Sequence, residues 1–144
     1  MPTRAQLSKA AEQQDKHTPL MIAALEGDVE TVNAQLSSKA DVNTHDNEGR
    51  TALMFAVVNS HAAIVEALLR AGARVNERAH DGGTALMLAA SNGDPEITRL
   101  LLNNGAKTGY RYASTGNTAV DLASDKGHTE VLELLQKRIP QKNA

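Results

Sequence analysis

The chain has no cysteine and no tryptophan, and its 144 residues include only two tyrosines and one phenylalanine. Without cysteine, disulfide frameworks and thiolate metal sites are both excluded. So few aromatics leave Ala, Leu and Val to fill the core, and small side chains suit helices packed closely in thin layers. No apolar run approaches the roughly 18 residues of a membrane span, and residues 1–16 lack a signal-peptide core. A net charge of −2 and a pI near 6.2 give no push toward nucleic acid or an anionic membrane. The expectation is a soluble, cytoplasmic chain, or a periplasmic one had a leader been removed.

What is present is repetition. Thr84-Ala85-Leu86-Met87-Leu88-Ala89-Ala90-Ser91-Asn92-Gly93 has a counterpart at Thr51-Ala52-Leu53-Met54-Phe55-Ala56-Val57-Val58-Asn59-Ser60. Further copies begin at Thr18 and Thr118, so the spacings are 33, 33 and 34 residues. In each copy a Thr is placed to cap a helix through its hydroxyl, and Pro19 follows the first at a position where its missing N–H costs nothing. The short helix ends at Gly27, Ser60, Gly93 or Gly127, where a left-handed residue is wanted. A second helix follows, over Val29 to Leu36, Ala62 to Arg70, Glu96 to Leu102 and Glu130 to Arg138. Its apolar residues (Ile64, Val65, Leu68, Leu69; Ile97, Leu100, Leu101, Leu102) make one stripe of helical period.

These residues resemble the ankyrin repeat, whose signature includes T-P-L-H-x-A within 33 residues. Thr18-Pro19-Leu20-Met21-Ile22-Ala23 carries it, as do Gly72-Ala73-Arg74-Val75-Asn76 and Lys39-Ala40-Asp41-Val42-Asn43 for the family's G-A-D-V-N. The resemblance implies an all-α fold, a short solenoid of four stacked helix pairs with an L-shaped section and hairpin-like fingers along one edge. The copies fall at about 17–49, 50–82, 83–116 and 117–139. Residues 1–16 precede them as an N-terminal helix or frayed cap, and 140–144 follow as a tail.

Departures from the pattern set further expectations. Met21, Met54 and Met87 replace the family's His, either packing under the next repeat or forming a ligand-facing stripe; Asp121 takes the place in the last copy. Lys39 stands where Gly72 and Gly105 are its counterparts, so a left-handed backbone there would cost about 1 kcal/mol. Gln35 fills the slot of Leu68, Leu101 and Leu135, as an end repeat should. Lys126, Glu130, Glu133, Gln136 and Lys137 make the last copy polar on one side, and Pro140 stops continuation after Ile139, so the array is expected to close at both ends. Phe55, Leu68, Leu69, Leu86, Leu88 and Leu101 are the expected best-buried set. Asn43 and Asn76 are expected to bond the nearby turn backbone.

No arrangement points to catalysis. His17, His45, His61, His80 and His128 read as surface histidines, because equivalent positions on stacked helices lie about 8–10 Å apart, too far to share a metal. Asp81-Gly82-Gly83 lacks the Lys and Ser/Thr of a phosphate loop and reads as a tight turn. No enzyme activity, cofactor or metal site is expected. The loop from Lys107 to Asn117 is one residue longer than its counterparts and holds Tyr110, Arg111 and Tyr112. Either a tyrosine meets a partner there, as Tyr and Arg do at binding hot spots, or the rings fold back over the last helix pair.

By resemblance, the expected function is binding of another protein on the concave side. The fingertip set is His45, Asn47, Glu48, Arg50, Arg78, His80, Asp81, Tyr110, Arg111 and Tyr112. The first-helix set is Val58, Asn59, Ser91, Asn92, Asp125 and Lys126. No nucleic acid and no membrane partner is expected, and the chain alone should be a monomer. The alternatives are a structural or regulatory subunit using its convex helices or self-association, and a nucleic-acid contact through Arg74, Arg78, Lys107 and Arg111.

Overall fold

The computed structural model describes Thr3 and residues 17–138. Eight helices follow in chain order: α1 (Pro19–Glu26), α2 (Val29–Ser37), α3 (Ala52–Val58), α4 (Ala62–Arg70), α5 (Ala85–Asn92), α6 (Pro95–Asn103), α7 (Ala119–Asp125) and α8 (Thr129–Arg138). Among the described residues there is no strand, and no helix is long and apolar enough to cross a membrane. The helix or cap expected in residues 1–16 and the stop expected at Pro140 lie outside the described residues.

Every odd-numbered helix starts in the same way. Thr18, Thr51, Thr84 and Thr118 hold extended backbone. Each hydroxyl oxygen accepts the N–H three residues on, at 3.1 to 3.4 Å. That satisfies one of the donors a helix start leaves open, a contribution of about 1 kcal/mol per cap. In two copies the residue at the receiving position answers back: Met87 Sδ accepts the Thr84 N–H at 3.3 Å, and Asp121 Oδ2 accepts the Thr118 N–H at 3.0 Å. The Thr118 N–H is the main reason the Asp121 carboxyl is held below the ordinary carboxylate range. Asp121 thus completes a reciprocal cap of the kind that Glu or Gln usually makes.

The two helix sets form two layers, α1, α3, α5 and α7 stacked in one and α2, α4, α6 and α8 in the other. Of the first layer α3 is covered on nearly every side, every residue from Ala52 to Val57 being buried, whereas the end helix α7 buries only Ala119 and Ala123. Helices of the second layer bury one stripe, Ile64, Val65 and Leu68 in α4 and Ile97, Thr98, Leu101 and Leu102 in α6. Leu20, Leu53 and Leu86 occupy matching seats at 1 to 2% exposure. Val120, their counterpart in the last copy, is half-buried. Gln35 is half-buried where Leu68 and Leu101 are fully covered. Leu69, Leu88 and, at 8% exposure, Phe55 do not join the best-buried set; Ile64 and Ile97 do. Leu69 lies about 100° around the helix from the covered Leu68, and Leu88 faces an open groove.

Neighbouring repeats are fastened by side chains that reach backbone about one repeat away. Asn43 Nδ2 donates to Gly72 O at 3.2 Å while its Oδ1 accepts the Arg74 N–H at 2.8 Å. Asn76 does the same with Gly105 O and the Lys107 N–H, at 3.0 and 2.8 Å. These asparagines therefore bridge to the next repeat and do not merely close their own turn.

The histidine expectation also needs correction, since His17, His61 and His128 are half-buried. His61 and His128 place Nε2 at 3.1 Å from the carbonyls of Leu25 and Ser91 in the preceding copy. Their rings lie over Gly27 and Gly93, where an added Cβ would sit 2.6 and 2.5 Å from ring atoms. At the equivalent positions Asp28 and Asp94 instead cap their own helices, accepting the Thr31 and Ile97 N–H. The two non-glycine residues with positive φ among those described are Lys39 at 61° and Ser60 at 58°.

Candidate functional site

Three fingers project beside the first layer, each closed by a backbone bond: Asp46 N–H to Arg50 O at 3.0 Å, Ala79 N–H to Gly83 O at 2.8 Å, and Tyr112 N–H to Asn117 O at 3.0 Å. The tips are joined in turn, His80 N–H donating to Glu48 O at 2.9 Å and Ala113 N–H to Asp81 O at 2.8 Å. Backbone groups that would otherwise face water are thereby paired, and the fingers act as one ribbon.

Each finger is braced by a different arginine arrangement. In the first, the buried Asp46 carboxylate accepts the Glu48 and Arg50 N–H groups at 2.9 and 2.8 Å and the Arg50 Nε–H at 2.8 Å. His17 Nε2 lies 3.2 Å from the same carboxylate, and its ring meets Phe55 edge-on at 5.5 Å. Burial pushes the Asp46 carboxyl up, but the Arg50 and Glu48 hydrogen bonds and the Arg50 charge outweigh it and hold the group below its ordinary range. The Arg50 guanidinium lies 4.9 Å over the Phe55 ring. In the second finger, Arg78 donates to Gly82 O at 3.2 Å and Arg111 O at 2.8 Å and lies 4.9 Å over Tyr110. In the third, Arg111 donates to Gly116 O at 2.8 Å.

Both tyrosines are half-buried and pack against the core. The Tyr112 ring covers Gly83, where an added Cβ would lie 2.7 Å from Cε1. Burial, and then the charge of Asp81, push its phenol up. Tyr110 borders a recess of about 290 Å³ with Lys107 and Gly109. The rings thus fold back onto the stack while each keeps an exposed side.

Between first helices and fingers runs a groove of about 370 Å³ lined by Leu25, Glu48, Arg50, Met54, Phe55, Val58, Asp81 and Leu88. Met54 and Phe55, both buried, form its floor; Leu25 and Val58 are 36% and 41% exposed. A smaller recess of about 60 Å³ continues it toward Ala79, Gly83 and Tyr112. Met21 and Met87 are buried, so the methionines serve packing and only Met54 also meets the groove.

Of the residues singled out in the sequence, Glu48, Arg50, Val58, Asp81 and Tyr112 come together around these two openings. Others are engaged in fastening the stack. Asn59 donates to Leu25 O at 2.8 Å, and Asn92 to Val57 O and Val58 O at 3.0 Å each. The His80 ring lies over Gly49, and Lys126 Nζ donates to Ser91 Oγ at 2.6 Å. His45 pairs with Glu77 at 3.1 Å, away from the groove lining. Asn47 and Asp125 are exposed. Leu25, Phe55 and Leu88 are not among the expected contact residues, and Met54 enters only through the alternative of a ligand-facing stripe. The signal for Leu25 was available, since it occupies the slot of Val58 one repeat earlier. Among the described residues no three His, Asp or Glu side chains converge as metal ligands would.

The family model for ankyrin repeats (three copies) matches residues 4–79 and 71–144. No curated protein matches the chain. Taken with four in-register helix pairs, each opened by a threonine cap, that match settles the family: the chain belongs to the ankyrin-repeat proteins.

Proposed function

We propose that the chain binds a partner protein along its concave side, the groove walls and fingertips making the contact without catalysis. Ankyrin repeats generally serve as protein-interaction modules. The observation that carries the reading is the pair Leu25 and Val58, two large apolar side chains left exposed at equivalent positions of adjacent repeats beside a groove. Contiguous exposed apolar surface rimmed by polar groups is the usual mark of a docking site. The fingers bordering it are bonded tip to tip and braced from within, so little ordering cost accompanies association. The opposite layer carries solvent-facing ion pairs, Arg70 with Glu66 at 2.6 Å and Arg99 with Glu130 at 3.0 Å. A charged face of that kind suits water better than a partner or a second copy, so the chain alone is a monomer.

The test is capture of partners from the native cell by the wild type beside Leu25→Ser/Val58→Ser. The variant should keep the wild-type melting curve and lose the captured protein. Equal capture by both would refute the groove as the site.

A further inference from the structure

The groove's rim has a dominant sign. Glu48 is 71% exposed, and its nearest cation, Arg50 Nη1, stands 3.7 Å away. Asp81 Oδ1 accepts the Gly83 N–H at 2.8 Å. No cation among the described residues pairs with Asp81. Arg50 cannot balance both carboxylates, because its Nε is engaged by buried Asp46 at 2.8 Å and its plane by Phe55. Of the groove's charged lining residues, Glu48 and Asp81 are thus set against Arg50 alone, whose Nε is already engaged by Asp46 beneath the rim.

The apolar walls have a spacing as well as a sign. Leu25 lies in the last turn of α1 and Val58 ends α3, helices stacked in one layer, so the two seats lie roughly 8–10 Å apart. Leu88 of α5 extends the strip into the next repeat. Beyond it the strip stops, because the slot of Leu25 and Val58 holds Ser91 and then Asp125. Apolar side chains about 10 Å apart on one face occur at i and i+7 of a helix, whereas same-face neighbours of a β-type extended chain fall at about 6.6 or 13 Å. A phosphate-bearing ligand would meet like charge at this rim.

Building on the partner-binding reading above, we propose that the groove accepts a basic amphipathic polypeptide segment. Two of its apolar side chains seat on Leu25, Val58 and Leu88, and a Lys or Arg between them pairs with Glu48 and Asp81.

A displayed library of random peptides of about 16 residues, enough to cross the strip at about 1.5 Å per residue as a helix, is selected against the full chain. Recovered peptides are then titrated by calorimetry at low and high salt. Lys or Arg framed by apolar residues should dominate the selection, and affinity should fall several-fold as salt rises. Glu48→Gln/Asp81→Asn leaves an acceptor for the Gly83 N–H and should weaken binding about tenfold. Leu25→Ser/Val58→Ser should weaken it at least as much. Peptides without basic residues that ignore the first pair but respond to the second would overturn the proposed partner chemistry and leave the groove as a site. Peptides that ignore both pairs, or a library that yields no binder, would overturn both readings. Unchanged melting curves establish that any loss is not unfolding.

Discussion

Replacing Asp46 by Ala removes the centre of the first finger, and the cost can be worked from its bonds. The carboxylate caps two backbone N–H groups, those of Glu48 and Arg50; losing such a side-chain cap costs about 1 kcal/mol. It also holds the Arg50 Nε and meets His17 Nε2 at 3.2 Å, but those side chains are 37% and 22% exposed, so water recovers part of both contacts and the remaining loss is about 1 kcal/mol. The expected total is about 2 kcal/mol, with Asp46→Asn losing about half because one acceptor oxygen remains. The pH dependence carries a definite sign. Asp46 titrates below its unfolded value in the folded chain, so its contribution is full above about pH 4 and is lost as pH falls through the folded pKa. Urea midpoints of wild type and both variants at neutral pH and near pH 3 measure this directly. The gap between wild type and Asp46→Asn should narrow in acid, and carboxylates common to both chains, Asp121 included, cancel from the comparison. A neutral-pH loss under about 0.5 kcal/mol for Asp46→Ala, or a gap that stays constant with pH, would refute the reasoning.

Three further outcomes are expected. Lys39→Gly and Ser60→Gly, at φ 61° and 58°, should each raise stability by up to about 1 kcal/mol, since the left-handed penalty outweighs the extra freedom of unfolded glycine; a lowered melting temperature in either contradicts this. Thr98→Val should be neutral or stabilising by about 1 kcal/mol: the buried hydroxyl only bonds Asp94 O at 2.6 Å, a carbonyl the Thr98 N–H already occupies at 3.1 Å. Leu101→Ala, at a fully covered seat between layers, should cost about 2–5 kcal/mol. Its denaturation should broaden into more than one step as the array uncouples, which circular dichroism and hydrogen exchange together would resolve.

The stack was legible because its evidence is periodic. Threonine caps, terminal glycines and leucine stripes recur at 33 or 34 residues, and one copy checks the next. Much less of the groove could be read. Leu25 and Leu88 sit in apolar runs that look like core, and only the stacking shows that one side of each faces outward. The arginine braces and the histidine and asparagine clasps escaped for another reason. Apart from the Arg50–Asp46 pair, their partners are backbone groups up to 37 residues away, and a backbone group leaves no mark in a sequence. The two tyrosines were read both as contacts and as cover, and their half-burial shows the second without removing the first.

The bonds from His61 and His128 have a bearing on how the molecule behaves in acid. A carbonyl oxygen can only accept, so Nε2 must bring the hydrogen, and imidazole supplies it whether neutral in that tautomer or cationic. Protonation therefore leaves these rivets standing, although histidine elsewhere is the usual pH sensor. Asp46 has no such immunity. Acidification should slacken the first finger, and with it one wall of the groove, while the layers behind it remain riveted together.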